Sequence, residues 1–195
     1  MTDAWYEIVE AAERLTQGDL ILTCPLIAWK PDPLELPQNT EEADVLQAAT
    51  AAIQADVVVM TQACDLEHEK VANIILCPHF SLFDYRQAWE GEMKNHNQNP
   101  TDRAWNRHCN DICDGFVWNL TMLNVSNSSE LNLEHRVVDF HYVYSAPRSF
   151  LESLLEQRMQ ARLRLLPPYR EHLSQAFARF FMRVGLPVPI TLQGF

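Results

Sequence analysis

Apolar positions recur along this chain with two periods. Over residues 3–15, Trp5, Ile8, Val9, Ala12 and Leu15 share one face at the spacing of an amphipathic helix. After TQGD, the run LILTCPLIAW is apolar enough for a buried strand. KPDPLELPQN follows with three prolines and predicts extended loop, because proline lacks the donor a strand ladder needs. Thr40 is placed to cap a helix over 41–54, with Glu41, Glu42 and Asp44 in its first turn, where the helix dipole favours acids. Two strands are expected at 57–63 and 73–78, then a polar helix over 82–98 with a stripe of Leu82, Tyr85, Ala88, Trp89 and Met93. NQNP interrupts the chain, and Thr101 caps a further helix to about Asp114, closed by Gly115.

FVWNLTMLNV and LNLEHRVVDFHYVY read as strands joined by the turn SNSSE. Two helices are expected to close the pattern. In 147–163 the stripe is Phe150, Leu151, Leu154, Leu155 and Met159, with Pro147 in the first turn. In 168–184 it is Leu173, Ala176, Phe177, Phe180, Phe181 and Val184, stopped by Gly185 and Pro187. The sum is an α+β fold: a small, mostly antiparallel β-barrel with helical insertions and a C-terminal helical hairpin. The expected division places the barrel, with the N-terminal and inserted helices, in 1–146 and the hairpin in 147–195.

Composition narrows the class. The 195 residues are 47% apolar, enough for a sizeable core. No apolar run approaches the ~20 residues that span a bilayer, so no membrane association is expected. The acidic, amphipathic opening MTDAWYEIVEAAERL is unlike a signal peptide, and five cysteines fit reduced thiols better than a disulfide framework. Both point to the cytoplasm. Net charge is −11, unevenly spread. Between Pro147 and Gly185, seven arginines face three acids, a net of +4, which leaves −15 on the rest. Such a body disfavours nucleic acid as a partner, whereas the basic segment can pair with an acidic protein or with the body itself. Arg158, Arg162, Arg179 and Arg183 are therefore the candidate binding residues.

Candidate chemistry concentrates in VVVMTQACDLEHEKVANIILCPHF, residues 57–80. Cys64, His68, Cys77 and His79 are all zinc-ligand types. An antiparallel hairpin turning near His68 sets Cys77 opposite Val59 and leaves Cys64 roughly 16 Å away at ~3.3 Å per residue, too far for one zinc. The local group Cys64, Asp65 and His68 remains as a candidate catalytic set, with Cys64 as nucleophile and His68 as its base; the competing reading is a buried cysteine at a strand end followed by an aspartate that hydrogen-bonds the turn backbone. On the helix RHCNDICDG, His108, Cys109 and Cys113 form an alternative metal set. Otherwise neither metal nor cofactor is expected. In EHRVVDFHY, His135, Asp139 and His141 share one strand face and can converge.

Gly18-Asp19-Leu20 opening a strand, a long loop, Val57-Val58-Val59-Met60-Thr61, Ile74-Ile75-Leu76-Cys77-Pro78, and Val137-Val138-Asp139 before a terminal helix together resemble the MazF/PemK group of SH3-like barrels. That resemblance implies a bacterial toxin–antitoxin or defence setting, and a homodimer is possible in such a group. Ribonucleases of the group have Arg-Pro before the second strand and Thr or Ser just after the proline ending the third. Here the first pair is Ala55-Asp56, and His79 and Phe80 follow Pro78, with Ser81 one place late. An arginine there would stabilise charge on a transferring phosphate; an aspartate would not. The expectation is a non-catalytic interaction or regulatory module with a protein partner. The alternative is a divergent endoribonuclease, or a cysteine- or metal-dependent hydrolase built on Cys64, Asp65 and His68.

Overall fold

The structure is a computed structural model that describes residues 4–31, 41–128 and 130–182. It is mixed α+β, with ten strands and six helices among those residues. The main sheet joins β2 (Leu20–Trp29), β3 (Thr50–Val59), β4 (Asn73–Ser81), β8 (Arg136–Asp139) and β5 (Leu120–Leu123) in that order, and β9 (Tyr144–Pro147) also pairs with β4. Every pairing is antiparallel. The described sheet is open, ending at β2 and β5, and does not close into the expected barrel. No helix among the described residues is long and apolar enough to cross a membrane.

β4 is central because both its faces are apolar. Val57 and Val59 on β3, with Ile74 and Leu76 on β4, face one core with Leu151 and Leu155 of α5 (Arg148–Arg158). The alternate residues Val58, Cys77 and Val138 face a second core, capped by Leu173, Phe177 and Phe180 of α6 (Tyr169–Phe181). A third cluster joins Val137 and Leu120 to Ile112 of α4 (Asp102–Cys113), beside α3 (Leu82–Asn95).

Helix boundaries follow local capping. Ser81 caps α3 by accepting from the Asp84 amide at 2.9 Å, and Thr101 caps α4 by accepting from Ala104 at 3.2 Å. Gly115 follows α4 with φ +73°, the left-handed conformation that glycine supplies without a Cβ clash. α1 (Glu42–Ala49) is shorter than expected, has Glu41 at its N-cap, and gives way to β3 at Thr50. The reason is tertiary: Ile27 and Trp29 of β2 need Ala52 and Thr50 as ladder partners. Thr40 lies outside the described residues.

The largest departure joins the two ends of the chain. The described part of the expected helix, residues 4–15, is not helical; Tyr6–Val9 is strand β1, paired with β10 (Arg162–Leu165). From Arg148 to Phe181 the chain is consequently helix–strand–helix, not a helical hairpin. RLRL alternates with period two, which sets Leu163 and Leu165 opposite Ile8 and Tyr6 and turns Arg162 and Arg164 to the other face. A short isolated helix is marginal in water, whereas this pairing buries apolar side chains from both ends. Leu20, Phe177 and Phe180 pack in the same core. Val184, Gly185 and Pro187, the expected end of α6, lie outside the described residues.

Candidate functional site

The structure places Cys64, Asp65 and His68 on one turn, without assembling them chemically. They lie on α2 (Ala63–Glu67) and its C-cap, between β3 and β4. Leu66 anchors this helix in the first core, while Cys64 and His68 are exposed. The Cys64 thiol faces Gln62 Oε1 and Asp65 Oδ1, each at 3.8 Å, and Lys70 lies 3.5 Å from Asp65. No described hydrogen bond joins Cys64 to the His68 ring. The expected pairing of Cys77 with Val59 is off by one: Cys77 lies opposite Val58, because α2 replaces a symmetric turn. Cys77 and His79 are buried within β4, away from the solvent-facing Cys64.

The arginines act mainly as internal cross-links. Arg162 pairs with the buried Asp19 at 2.8 Å and donates to the carbonyls of Glu10, Glu13 and Arg14. Arg164 binds the same carboxylate at 2.5 Å. Arg158 donates to the carbonyls of Leu22 and Thr23, both at 2.7 Å. Arg179 donates to the Gly115 carbonyl and stands 5.0 Å from the centre of the Trp118 ring. Arg183 lies outside the described residues.

Among the described residues, no group of three or more His, Cys, Asp or Glu side chains is arranged to hold a metal, the set His108, Cys109 and Cys113 included. His108 Nε2 is 2.9 Å from the Tyr85 hydroxyl, and its ring stacks near Tyr85 and Trp89. Burial holds its pKa below the usual histidine value and raises those of both thiols. Of His135, Asp139 and His141, of which only Asp139 lies in β8, the last two meet, with the His141 amide donating to the carboxylate at 2.9 Å. His135 faces elsewhere, into a cavity.

That cavity, of about 350 Å³, lies where α4, β5, the approach to β8, α6 and the N-terminal segment meet. Its aromatic wall is Trp5 and Tyr169, stacked at 4.0 Å with planes 12° apart. Thr121, Asn124, His135 and His172 bring polar groups to it from separate parts of the chain. His135 Nδ1 is buried and has no hydrogen-bond partner among the described residues. Asn124 uses its side-chain oxygen on the Val125 amide and its backbone carbonyl on the Tyr6 hydroxyl, which leaves the side-chain nitrogen open.

Behind the Leu123 wall, opposite it in the β5–β8 ladder, stands Arg136. Arg136 pairs with Asp56, whose other oxygen accepts from the Thr23 amide at 2.8 Å. His79 completes this group on β4, at 2% exposure. Among the described residues its two ring nitrogens and Arg136 Nε lack hydrogen-bond partners; the Val57 backbone lies close to the ring but outside hydrogen-bond geometry. Burial, reinforced by the Arg136 charge and opposed by Asp56, holds the His79 pKa well below the ordinary range, so the ring is neutral at pH 7. Residues 55–56 and 79–81, the two stretches singled out by the resemblance, thus flank the Val57–Pro78 pair. The guanidinium beside them comes from β8. An arginine embedded in EHRVVDF, next to apolar Val137 and Val138, was the signal for it.

Comparison with protein-family models, with curated proteins and with solved structures finds no match to this chain.

Proposed function

We propose that this protein is a non-catalytic interaction module whose ligand site is the cavity between α4, β5 and α6, and that the ligand is a small planar molecule with hydrogen-bonding edges. The observation carrying this reading is the convergence of Thr121, Asn124, His135 and His172 on a pocket walled by Trp5 and Tyr169. Binding sites combine an apolar or aromatic wall with a few placed polar groups in this way, and ring stacking adds about 0.5–1.5 kcal/mol beyond area burial. His135, which lines the cavity, offers such a ligand a donor or acceptor according to its tautomer.

The absence of catalysis in this reading rests on two features. Cys64 and His68 share an exposed turn on which no described hydrogen bond joins the thiol to the imidazole, and they line none of the three cavities described for this fold. Asp56 neutralises Arg136, which weakens any phosphate-binding role for that guanidinium. The wider setting remains the one implied by the MazF/PemK resemblance: a cytoplasmic module of a bacterial toxin–antitoxin or defence system, derived from an SH3-like barrel and acting on a protein partner.

Titration with indole and with adenine, followed by tryptophan emission and calorimetry, tests the ligand reading. Saturable binding that weakens about tenfold in His135→Leu is expected, consistent with losing a buried hydrogen bond. Absence of saturable binding by both probes to folded protein would sink it.

A further inference from the structure

We infer that a second cavity takes an unbranched aliphatic carboxylate, with Arg158 holding the acid group. This cavity lies between the first half of β2, the hairpin of β6 (Ser126–Asn127) and β7 (Asn132–Leu133), and the link from α5 to β10. Its volume is about 500 Å³, inside the ~300–1,000 Å³ typical of small-molecule sites. It follows the seam between two cores: Ile21 and Leu155 belong to the cluster beneath α5, and Leu20, Leu133 and Leu163 to the cluster beneath α6. Branched aliphatic walls without an aromatic ring suit a hydrocarbon chain better than a planar ring.

The charge at this cavity has no internal answer. Arg158 and Arg162 both line it, but Arg162 is committed to Asp19 and three carbonyls. Arg158, half-buried, has no carboxylate partner among the described residues. Its two bonds go to Leu22 and Thr23, carbonyls set free by the bulge where the β2–β3 register shifts between Ile21 and Cys24. A guanidinium has five N–H donors in a planar fork, and three of these remain for a carboxylate. Thr23 at this position has φ +47°, an uncommon conformation for a β-branched residue, and its amide is fixed by Asp56. The bulge therefore holds Arg158 at the cavity with its charge unspent. The one acid of the lining, Glu130, is exposed on the hairpin.

Calorimetric titration of the full chain with octanoate, decanoate and 1-decanol tests the assignment. Each buried methylene tightens binding about fourfold, so decanoate should bind on the order of tenfold tighter than octanoate. Arg158→Gln should weaken decanoate about tenfold while leaving 1-decanol unchanged. Leu131→Trp, which fills the cavity from the hairpin side and leaves the Arg158 bonds in place, should abolish decanoate binding. Circular dichroism establishes that each variant is folded; if Arg158→Gln is not, Leu131→Trp decides. No decanoate binding to the wild type, equal affinity in folded Arg158→Gln, or undiminished affinity in Leu131→Trp would each overturn the inference. The site is separate from the cavity beneath α6, so either one can fail without the other.

Discussion

Two carboxylate–arginine groups, one around the buried Asp19 and one around the partly exposed Asp56, handle their charge in opposite ways. Asp19 receives Arg162, Arg164 and the Thr16 amide, and Arg162 spends three further donors on backbone carbonyls. That group is complete, and it ties β10 and the turn after β1 to the start of β2. Asp56 and Arg136 form a pair of similar composition, but they stand beside a histidine with no partner for either ring nitrogen and leave Arg136 Nε open. A complete network holds a fold in one arrangement, whereas a partly satisfied one carries a desolvation penalty with no compensating bond. The difference separates a cross-link from a site with unspent bonding capacity.

The sharpest way to break this comparison is to remove one member from each group. Asp19→Asn leaves two arginines without their carboxylate, and urea denaturation should show a loss of about 3–5 kcal/mol. A loss under about 1 kcal/mol would show that the Asp19 group is not the cross-link described. His79→Leu removes an imidazole whose nitrogens bond nothing, so stability should change by less than about 1 kcal/mol, or rise. A loss comparable to that of Asp19→Asn would erase the distinction.

The pH dependence gives a second, intermediate effect. Burial lowers the His79 pKa in the folded state, so the unfolded chain binds the extra proton as pH falls. Stability from this group is therefore full above the ordinary histidine pKa of about 6.5 and declines below it, by up to about 1.4 kcal/mol per pH unit. Denaturation curves between pH 7 and pH 5 should be less pH-dependent in His79→Leu than in the wild type. Identical slopes would contradict the assignment. The smallest effect belongs to the exposed turn: Cys64→Ala should change stability by less than about 0.5 kcal/mol and leave indole and adenine binding unaltered.

Much of the sheet was legible because its strands are continuous apolar runs. LILTCPLIAW became β2, VVV the end of β3 and IILC part of β4, while the helices expected from residue 82 and after Thr101 appeared as α3 and α4. The ends were misread for a physical reason. Trp5, Ile8 and Val9 fit a helical stripe, but the four-residue alternation of Arg162–Leu165 offers a non-local partner, and no local rule scores that pairing. The same blindness hid the cavity. Trp5, Thr121, His135 and His172 are far apart in sequence, and neither spacing nor periodicity brings them together. The local cluster at Cys64–His68 looked chemical because its residue types are close in sequence, yet the turn presents them to solvent. Arg158 and Arg162 stood out by charge, and only the tertiary structure distinguishes the arginine whose charge is spent from the one whose charge is not.

Amide and side-chain chemical-shift mapping with adenine tests most directly where this protein takes a ligand. The account predicts shifts at Trp5, Thr121, Asn124, His135 and His172, with residues 64–68 unmoved. Shifts confined to 64–68, or none at the five cavity residues under saturating adenine, would contradict it.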